Sequence, residues 1–261
     1  MEAAFFDLDK TVIARASIAA FGRPFYRGGL VSRATIARAL ASQLIYIHLG
    51  ASEQKLARVR EQVLALTRGW DQREVSRIVR DALDDVVEPI IFAEALDLIE
   101  MHQAAGRKVY IVSASPEEIV LPLAELLGVD GALASRGEVD ELDRYTGQMA
   151  FYCYGPNKAV AIEALAERAG ISLESSSAYS DSATDIPMLE AVGHAFAVNP
   201  DRALTKVAHE REWEILSFTK PVRLRDRAAK RAPIAAGTLA VAGAVALAAA
   251  RVARRSSRRR A

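Results

Sequence analysis

The sequence is short of the residues that build redox centres and soft-metal sites. One cysteine, Cys153, excludes an internal disulfide, and the four histidines His48, His102, His194 and His209 are too scattered to form a metal cluster. All four are read as structural or surface residues. Cys153 sits among Phe151, Tyr152 and Tyr154, a setting that predicts a buried strand thiol, and a reducing compartment fits. No secretory signal is expected, because no basic region precedes the first apolar run and Asp7 and Asp9 interrupt it. A cytoplasmic body is therefore expected. Positive charge is also scarce over most of the chain. The formal net charge of +1 hides eleven Lys and Arg against one Asp in 221–261, leaving 23 basic and 32 acidic groups in residues 1–220. A body at −9 is not expected to bind nucleic acid.

What is present begins with Phe5-Phe6-Asp7-Leu8-Asp9-Lys10-Thr11-Val12. The apolar run 3–6 reads as a short buried strand that delivers two carboxylates and a hydroxyl, at alternate positions, onto the loop beyond its end. In open α/β sheets the ligand crevice lies at strand carboxyl ends, and paired Asp oxygens suit a hard cation such as Mg²⁺. Asp-x-Asp-x-Thr fits Asp7 as nucleophile and ligand with Asp9 as proton shuttle. It equally fits an Asp-rich turn capped by Thr11.

The rest of the pattern supplies context. Residues 14–88 show no convincing strand. Apolar residues recur at helical spacing over 32–48, 52–67 and 71–87, joined by short connections, which predicts an antiparallel bundle inserted like a lid. From Pro89 onward, helices over 89–105, 116–127, 157–169 and 185–191 alternate with strands over 108–112, 131–135, 177–179 and 194–198. Residues 136–154 read as a polar turn region leading into an aromatic run at 151–154. The expected fold is α/β, a doubly wound parallel sheet of Rossmann-like type with a helical-bundle cap. Its expected parts are a core at 1–13 and 89–218, a cap at 14–88, a basic linker at 219–231, an apolar tail helix at 232–250 and a basic tail at 251–261.

Three more segments sit where predicted strands end. Ser113-Ala114-Ser115 would offer a hydroxyl and backbone N–H groups to an anion at a helix start, or simply cap that helix. Lys158 opens a helix, where a cation is disfavoured unless it serves an anion, although a solvated surface lysine is the plainer reading. Asp181 and Asp185 lie just past a strand, so one would bind metal while the other holds Lys158.

In this order the four motifs resemble the haloacid-dehalogenase superfamily of phosphohydrolases, in its phosphoserine-phosphatase-like subclass, over about 3–218. The resemblance implies an Mg²⁺-dependent phosphomonoesterase in which Asp7 forms an aspartyl-phosphate and Asp9 is acid, then base. It implies that Thr11, Ser113, Ala114 and Lys158 hold the phosphoryl group. Asp7, Asp181 and the Asp9 backbone carbonyl would bind Mg²⁺, with Asp185 in support. Both cations are mechanistically necessary, because a phosphate dianion repels a carboxylate nucleophile. The chain departs from the pattern in four places. The glutamate that meets the substrate ammonium in phosphoserine phosphatases is absent from 14–17, and Ala114-Ser115, Ser180 and Ser182 stand where glycines are usual. Arg23, Tyr26 and Arg27 lie in an aromatic, basic stretch that would contact the leaving group or pack into the bundle. The expected substrate is a small phosphorylated metabolite. The alternatives are a lipid or lysolipid head group, and a catalytically idle membrane-tethered protein.

The tail is a different physical object. Residues 232–250 carry no charge and would span roughly 28 Å as a helix, about a bilayer's hydrocarbon thickness. The run is mostly Ala and Gly, and basic residues flank both sides, so neither insertion nor orientation is strongly favoured. Association with an anionic membrane surface, at the inner face of the cell membrane, is expected; a disordered Ala/Arg-rich tail is the alternative.

Overall fold

A computed structural model describes residues 1–32, 61 and 64–222. The helix expected over 32–48, most of that over 52–67, and the tail from 223 onward lie outside these residues. In chain order the elements are β1 (Ala3–Asp7), α1 (Ser17–Ala20), α2 (Gly22–Arg27), α3 (Gln72–Val87), β2 (Ile91–Phe92), α4 (Ala93–Ala104), β3 (Lys108–Pro116) and α5 (Glu117–Leu127). They continue with β4 (Gly131–Val139), β5 (Tyr145–Phe151), α6 (Pro156–Ala169), β6 (Ser177–Ser180), α7 (Ile186–Glu190), β7 (His194–Val198), α8 (Arg202–Glu210), β8 (Glu214–Leu216) and β9 (Pro221–Val222).

β1 is buried at all five positions, as a strand covered on both faces must be. It lies inside a seven-stranded sheet of order β5-β4-β3-β1-β6-β7-β8. β1 runs parallel to both neighbours, with Asp7 level with Val112 of β3 and Phe6 level with Tyr179 of β6. The chain first builds the sheet on the β3 side and then crosses to β6, so strand order reverses beside β1. A crevice opens there at the carboxyl ends, where Asp7 stands. On one face of the sheet Phe6, Tyr179 and Phe196 stack across three strands, with ring centroids 4.3 and 4.7 Å apart and planes within 6° and 9°. This ladder fixes the register of β1, because a one-residue slip would turn Phe6, and with it Asp7, to the opposite face.

Several elements differ from the sequence pattern. The polar stretch 136–154 is mostly a hairpin: β4 runs on to Val139 and β5 returns antiparallel to it. Its turn is closed by Asp140, whose Oδ1 accepts from the N–H groups of Leu142 and Arg144 at 2.9 and 3.0 Å. An edge strand with one solvated face alternates polar residues, and that alternation reads as a loop. Cys153 is buried as expected but lies in the loop after β5, not in a strand. The helix expected over 89–105 begins only at Ala93. Before it comes a 3₁₀ turn, Glu88–Ile90, and then β2, which pairs antiparallel with β9. Glu94 accepts from the N–H groups of Thr219 and Lys220 at 3.0 and 3.3 Å, so the folded body includes the first residues of the expected basic linker. α8 and β8 have no counterpart in the sequence reading.

Within the expected cap, Phe25 packs near Phe21 and Trp70, and Gly28 lies where an added Cβ would collide with Ile78 of α3. Gln72 Nε2 donates to Glu118 of α5 at 2.9 Å, tying α3 to the core. Among the described residues no helix is long and apolar enough to cross a membrane.

His102 of α4 is buried against this sheet. Arg107 Nε donates to its Nδ1 at 2.8 Å, so Nε2 carries the proton and donates to the Tyr179 hydroxyl, also at 2.8 Å. Burial, helped by the Arg107 charge, holds its pKa down to about 4 from 6.5. Between those values the unfolded chain binds a proton that the folded chain refuses, so stability rises with pH through that window. The shift corresponds to at most about 3 kcal/mol. His102→Gln should gain Tm relative to the wild type as pH falls from 6.5 to 5, measured by thermal unfolding. A constant difference between the two proteins across that window would exclude the His102 contribution.

Candidate active site

The site starts in the loop after β1. Leu8 carbonyl accepts from the N–H groups of Val12 and Ile13 at 2.9 and 3.0 Å, and Lys10 N–H donates to Ile13 carbonyl at 2.6 Å. This tight turn forces Lys10 to φ 66°, a left-handed conformation unusual for a side-chain-bearing residue. It buries Thr11 completely, yet the Thr11 hydroxyl has no hydrogen-bond partner. A buried hydroxyl left unpaired costs about 1–3 kcal/mol, which a ligand oxygen would recover.

Lys158 crosses to this loop from the first turn of α6. It is 3% exposed, which excludes a solvated surface lysine, and its Nζ donates to Asp7 Oδ1 and Asp185 Oδ2, both at 2.6 Å. Gly155, just before α6, has φ 56° and ψ −128°, a conformation glycine alone adopts readily, and this lets the chain turn sharply into the helix. Burial by itself would lower the Lys158 ammonium, but Asp7 and Asp185 outweigh it and hold its pKa above the ordinary lysine value. Burial also pushes the Asp7 carboxyl well above the carboxylate range; Lys158 pulls it back, while the charges of Asp185 and Asp181 add to the rise.

Asp181 and Asp185 follow β6. Ser180 Oγ donates to Asp185 Oδ2 at 2.6 Å, so the Asp185 carboxylate is held by both a cation and a hydroxyl. Burial raises Asp181 to about 6, against the pull of Lys10. Two buried carboxylates raised in this way fit a hard dication, whose charge would offset their repulsion, so the donor set suits Mg²⁺. Among the described residues no three His, Cys, Asp or Glu side chains gather at metal-binding spacing. Side-chain ligation would rest on Asp7 and Asp181, with a backbone carbonyl such as that of Asp9 in addition.

The segment Ser113-Ala114-Ser115 closes β3 with a bulge before Pro116. Ser113 Oγ accepts from Ser115 N–H at 3.1 Å, which leaves the Ser113 proton for a ligand. Both serines are buried and Ala114 is half-buried. Ser115 Oγ donates to Asp9 Oδ2 at 3.2 Å, and Ser17 N–H donates to Asp9 Oδ1 at 2.8 Å. Burial raises the Asp9 carboxyl, and these hydrogen bonds partly offset the rise.

The sequence reading gives no role to the side chains of Ser17, Ser115, Ser180 or Asp201. Asp201 Oδ2 accepts from Ala183 N–H at 3.0 Å and from Ser182 Oγ at 3.3 Å, and its own N–H donates to Asp181 carbonyl at 2.8 Å. It braces the loop that carries both acidic residues. The available signal was an Asp at a helix start, which ordinarily marks a cap, and Asp201 also caps α8 through Leu204 N–H. Arg23, Tyr26 and Arg27 are on α2 with exposed side chains, while the neighbouring Phe21 is buried.

The arrangement joins a buried carboxylate to a fixed cation, and adds an unpartnered hydroxyl and a second carboxylate held by two serines. Lys158→Met tests the clamp by leaving Asp7 and Asp185 unpaired. Breaking a buried pair in this way costs about 3–5 kcal/mol. The variant should lose that stability at pH 7.5, and the deficit should shrink toward pH 5, because carboxyls with raised pKa values take up protons there. Chemical denaturation at the two pH values measures the difference.

A family model described as haloacid dehalogenase-like hydrolase matches residues 4–190, which include the Asp7–Thr11 loop, Lys158 and the Asp181–Asp185 loop. A probable phosphatase of Mycobacterium tuberculosis is 50% identical over 247 residues, covering 95% of this chain and 86% of that one. A phosphoserine phosphatase of the same organism is 34% identical over 244 residues, 92% and 77% of the two chains. Among solved structures, a Bordetella pertussis protein of unknown function superposes with a TM-score of 0.71 at 27% identity, over 82% of this chain and 97% of that one. On the family match and the 50% relative, the chain belongs to the haloacid dehalogenase-like hydrolases.

Proposed function

We propose that the protein is an Mg²⁺-dependent phosphomonoester phosphatase that works through an aspartyl-phosphate at Asp7 on a small phosphorylated metabolite. The observation that carries this reading is the Lys158 ammonium fixed 2.6 Å from Asp7, in a site whose loop also buries the unpartnered Thr11 hydroxyl. Lys158 and Thr11 would bind phosphoryl oxygens, with Ser113 and the backbone around Ala114 completing the seat. Mg²⁺, when held by Asp7, Asp181 and the Asp9 carbonyl, supplies charge neutralisation for the phosphoryl group.

Asp7 Oδ attacks phosphorus and the bond from phosphorus to the alcohol oxygen breaks. The departing oxygen takes the proton of the Asp9 carboxyl. A water then attacks the aspartyl-phosphate and gives its proton to the Asp9 carboxylate. Inorganic phosphate leaves and the Asp7 carboxylate is restored. Asp185 acts through Lys158, holding the ammonium in line.

The 34% relative named as a phosphoserine phosphatase makes phosphoserine the first substrate to test. The segment 14–17 bears no glutamate, so an ammonium would need a different partner here. No described residue favours the lipid or lysolipid head group over a soluble substrate. The idle-protein alternative would leave the Asp7, Asp9, Lys158 and Asp181 set without a purpose.

Asp7→Asn removes the nucleophile with little change in volume. Turnover of 4-nitrophenyl phosphate should fall at least a thousandfold while circular dichroism still reports a folded protein, and chelation should stop the wild type until Mg²⁺ is restored. Retention of most activity by Asp7→Asn would refute the mechanism.

Residues 223–261 lie outside the described residues, and the sequence alone carries their reading. Eleven basic residues around an apolar run would attach the enzyme to an anionic leaflet, each worth about 1 kcal/mol near the surface. Full-length protein should sediment with vesicles containing phosphatidylserine, and protein truncated after Val222 should not, with unchanged kcat/KM for soluble substrates. Equal sedimentation of the two would exclude the tail as an anchor.

A further inference from the structure

Asp9 is the one residue of the Asp-x-Asp-x-Thr loop whose side chain is held from two other parts of the chain. Both of its oxygens are engaged: Oδ1 by the N–H of Ser17, at the start of α1, and Oδ2 by the hydroxyl of Ser115, at the end of β3. The two serines touch each other, oxygen to oxygen at 2.7 Å, and are 0% and 3% exposed. Because Ser115 spends its proton on Asp9, the proton between the two hydroxyls belongs to Ser17. The Ser17 hydroxyl also acts on the Asp9 carboxylate itself, so Asp9 is held by Ser115 and by both the N–H and the side chain of Ser17. Leaving hydroxyls this deeply buried unpaired is costly, and both of these are paired, to each other and to Asp9. Ser115 has a second contact with the site, since its N–H occupies Ser113 Oγ. One residue thus orients both the group read as the proton shuttle and a hydroxyl read as a phosphate donor.

We propose that Ser115, held by the Ser17 hydroxyl, is a positioning residue that aims the Asp9 carboxyl at the leaving-group oxygen. The inference rests on the phosphatase reading above and adds a requirement to it. Proton donation matters where the departing oxygen is a poor leaving group and matters little where it departs readily as an anion. An alkyl phosphate belongs to the first kind and 4-nitrophenyl phosphate to the second. Loss of aim at Asp9 should therefore separate the two substrates, whereas a general loosening of the fold would slow both alike.

The experiment compares kcat/KM, which reports steps through phosphoryl transfer, for phosphoserine or another alkyl ester that the wild type hydrolyses, and for 4-nitrophenyl phosphate. Ser115→Ala should lower the alkyl value about tenfold or more and the aryl value less than threefold. Ser17→Ala keeps its backbone N–H on Asp9, so it should show the same selectivity with a smaller loss. The double variant should lose at least as much of the alkyl value as Ser115→Ala, with the aryl value still the less affected. Equal losses on both substrates, or no loss, would overturn the positioning role while leaving the phosphatase reading intact. A wild type inert on every phosphomonoester would instead overturn that reading and this inference with it. Should Ser115→Ala not fold, Ser17→Ala decides: absence of the alkyl-selective loss there sinks the proposal.

Discussion

A single ammonium group sets the terms for the rest of the molecule. Lys158 is buried with a carboxylate on either side, and a charge in that position is tolerable only while both partners stay in place. Asp7 comes from the end of the central strand, Lys158 from the first turn of α6, and Asp185 from the loop after β6. Strand order, crossover lengths and the glycine before α6 together bring these three groups to one point. The buried charges add little net stability of their own. The apolar body holds the groups against their cost, with the ladder of Phe6, Tyr179 and Phe196 fixing the register of the strand that carries Asp7.

Around this clamp sits a shell of short polar side chains. Ser180 braces Asp185, Asp201 braces the loop carrying Asp181, and Ser17 with Ser115 brace Asp9. Short hydroxyls and carboxylates have few rotamers to lose, so they hold a neighbour's orientation at low entropic cost. The serines at 115, 180 and 182, standing where glycines are usual in the resembling family, tighten the site and add hydrogen bonds that a glycine cannot make.

The strand that carries Asp7, the helices over 72–87, 117–127 and 156–169, and the acidic loop after β6 were legible from apolar periodicity and helix punctuation. Their signals are local: a run of buried residues, a Gly or Pro at a boundary, a carboxylate just past a strand. What stayed hidden depends on contacts between distant segments. β5 presents polar residues because it lies at an edge of the sheet, and β2 is extended because Val12 and β9 supply its backbone partners. In the site, Asp7, Lys158 and Asp185 stand out in the sequence because carboxylates and a lysine at element ends are conspicuous. Ser17 and Ser115 are not conspicuous. A serine near a helix start is normally a cap, and only the fold, which brings positions 98 residues apart to hydrogen-bonding distance, gives the pair a different role.

The central position of β1 bears on how the protein is made. Its neighbours in the sheet, β3 and β6, are synthesised only about a hundred and more than a hundred and seventy residues after it. The hydrogen bond from Ala3 to Ser176 spans 173 residues, and the ion pair between Lys158 and Asp7 spans 151. Contacts this remote in sequence form late, after the loop-closure cost of the intervening chain has been met. A growing chain therefore exposes the Asp7 carboxylate long before any cation opposes its charge. The clamp is complete only when β6 docks beside β1 and Lys158 reaches its two acids.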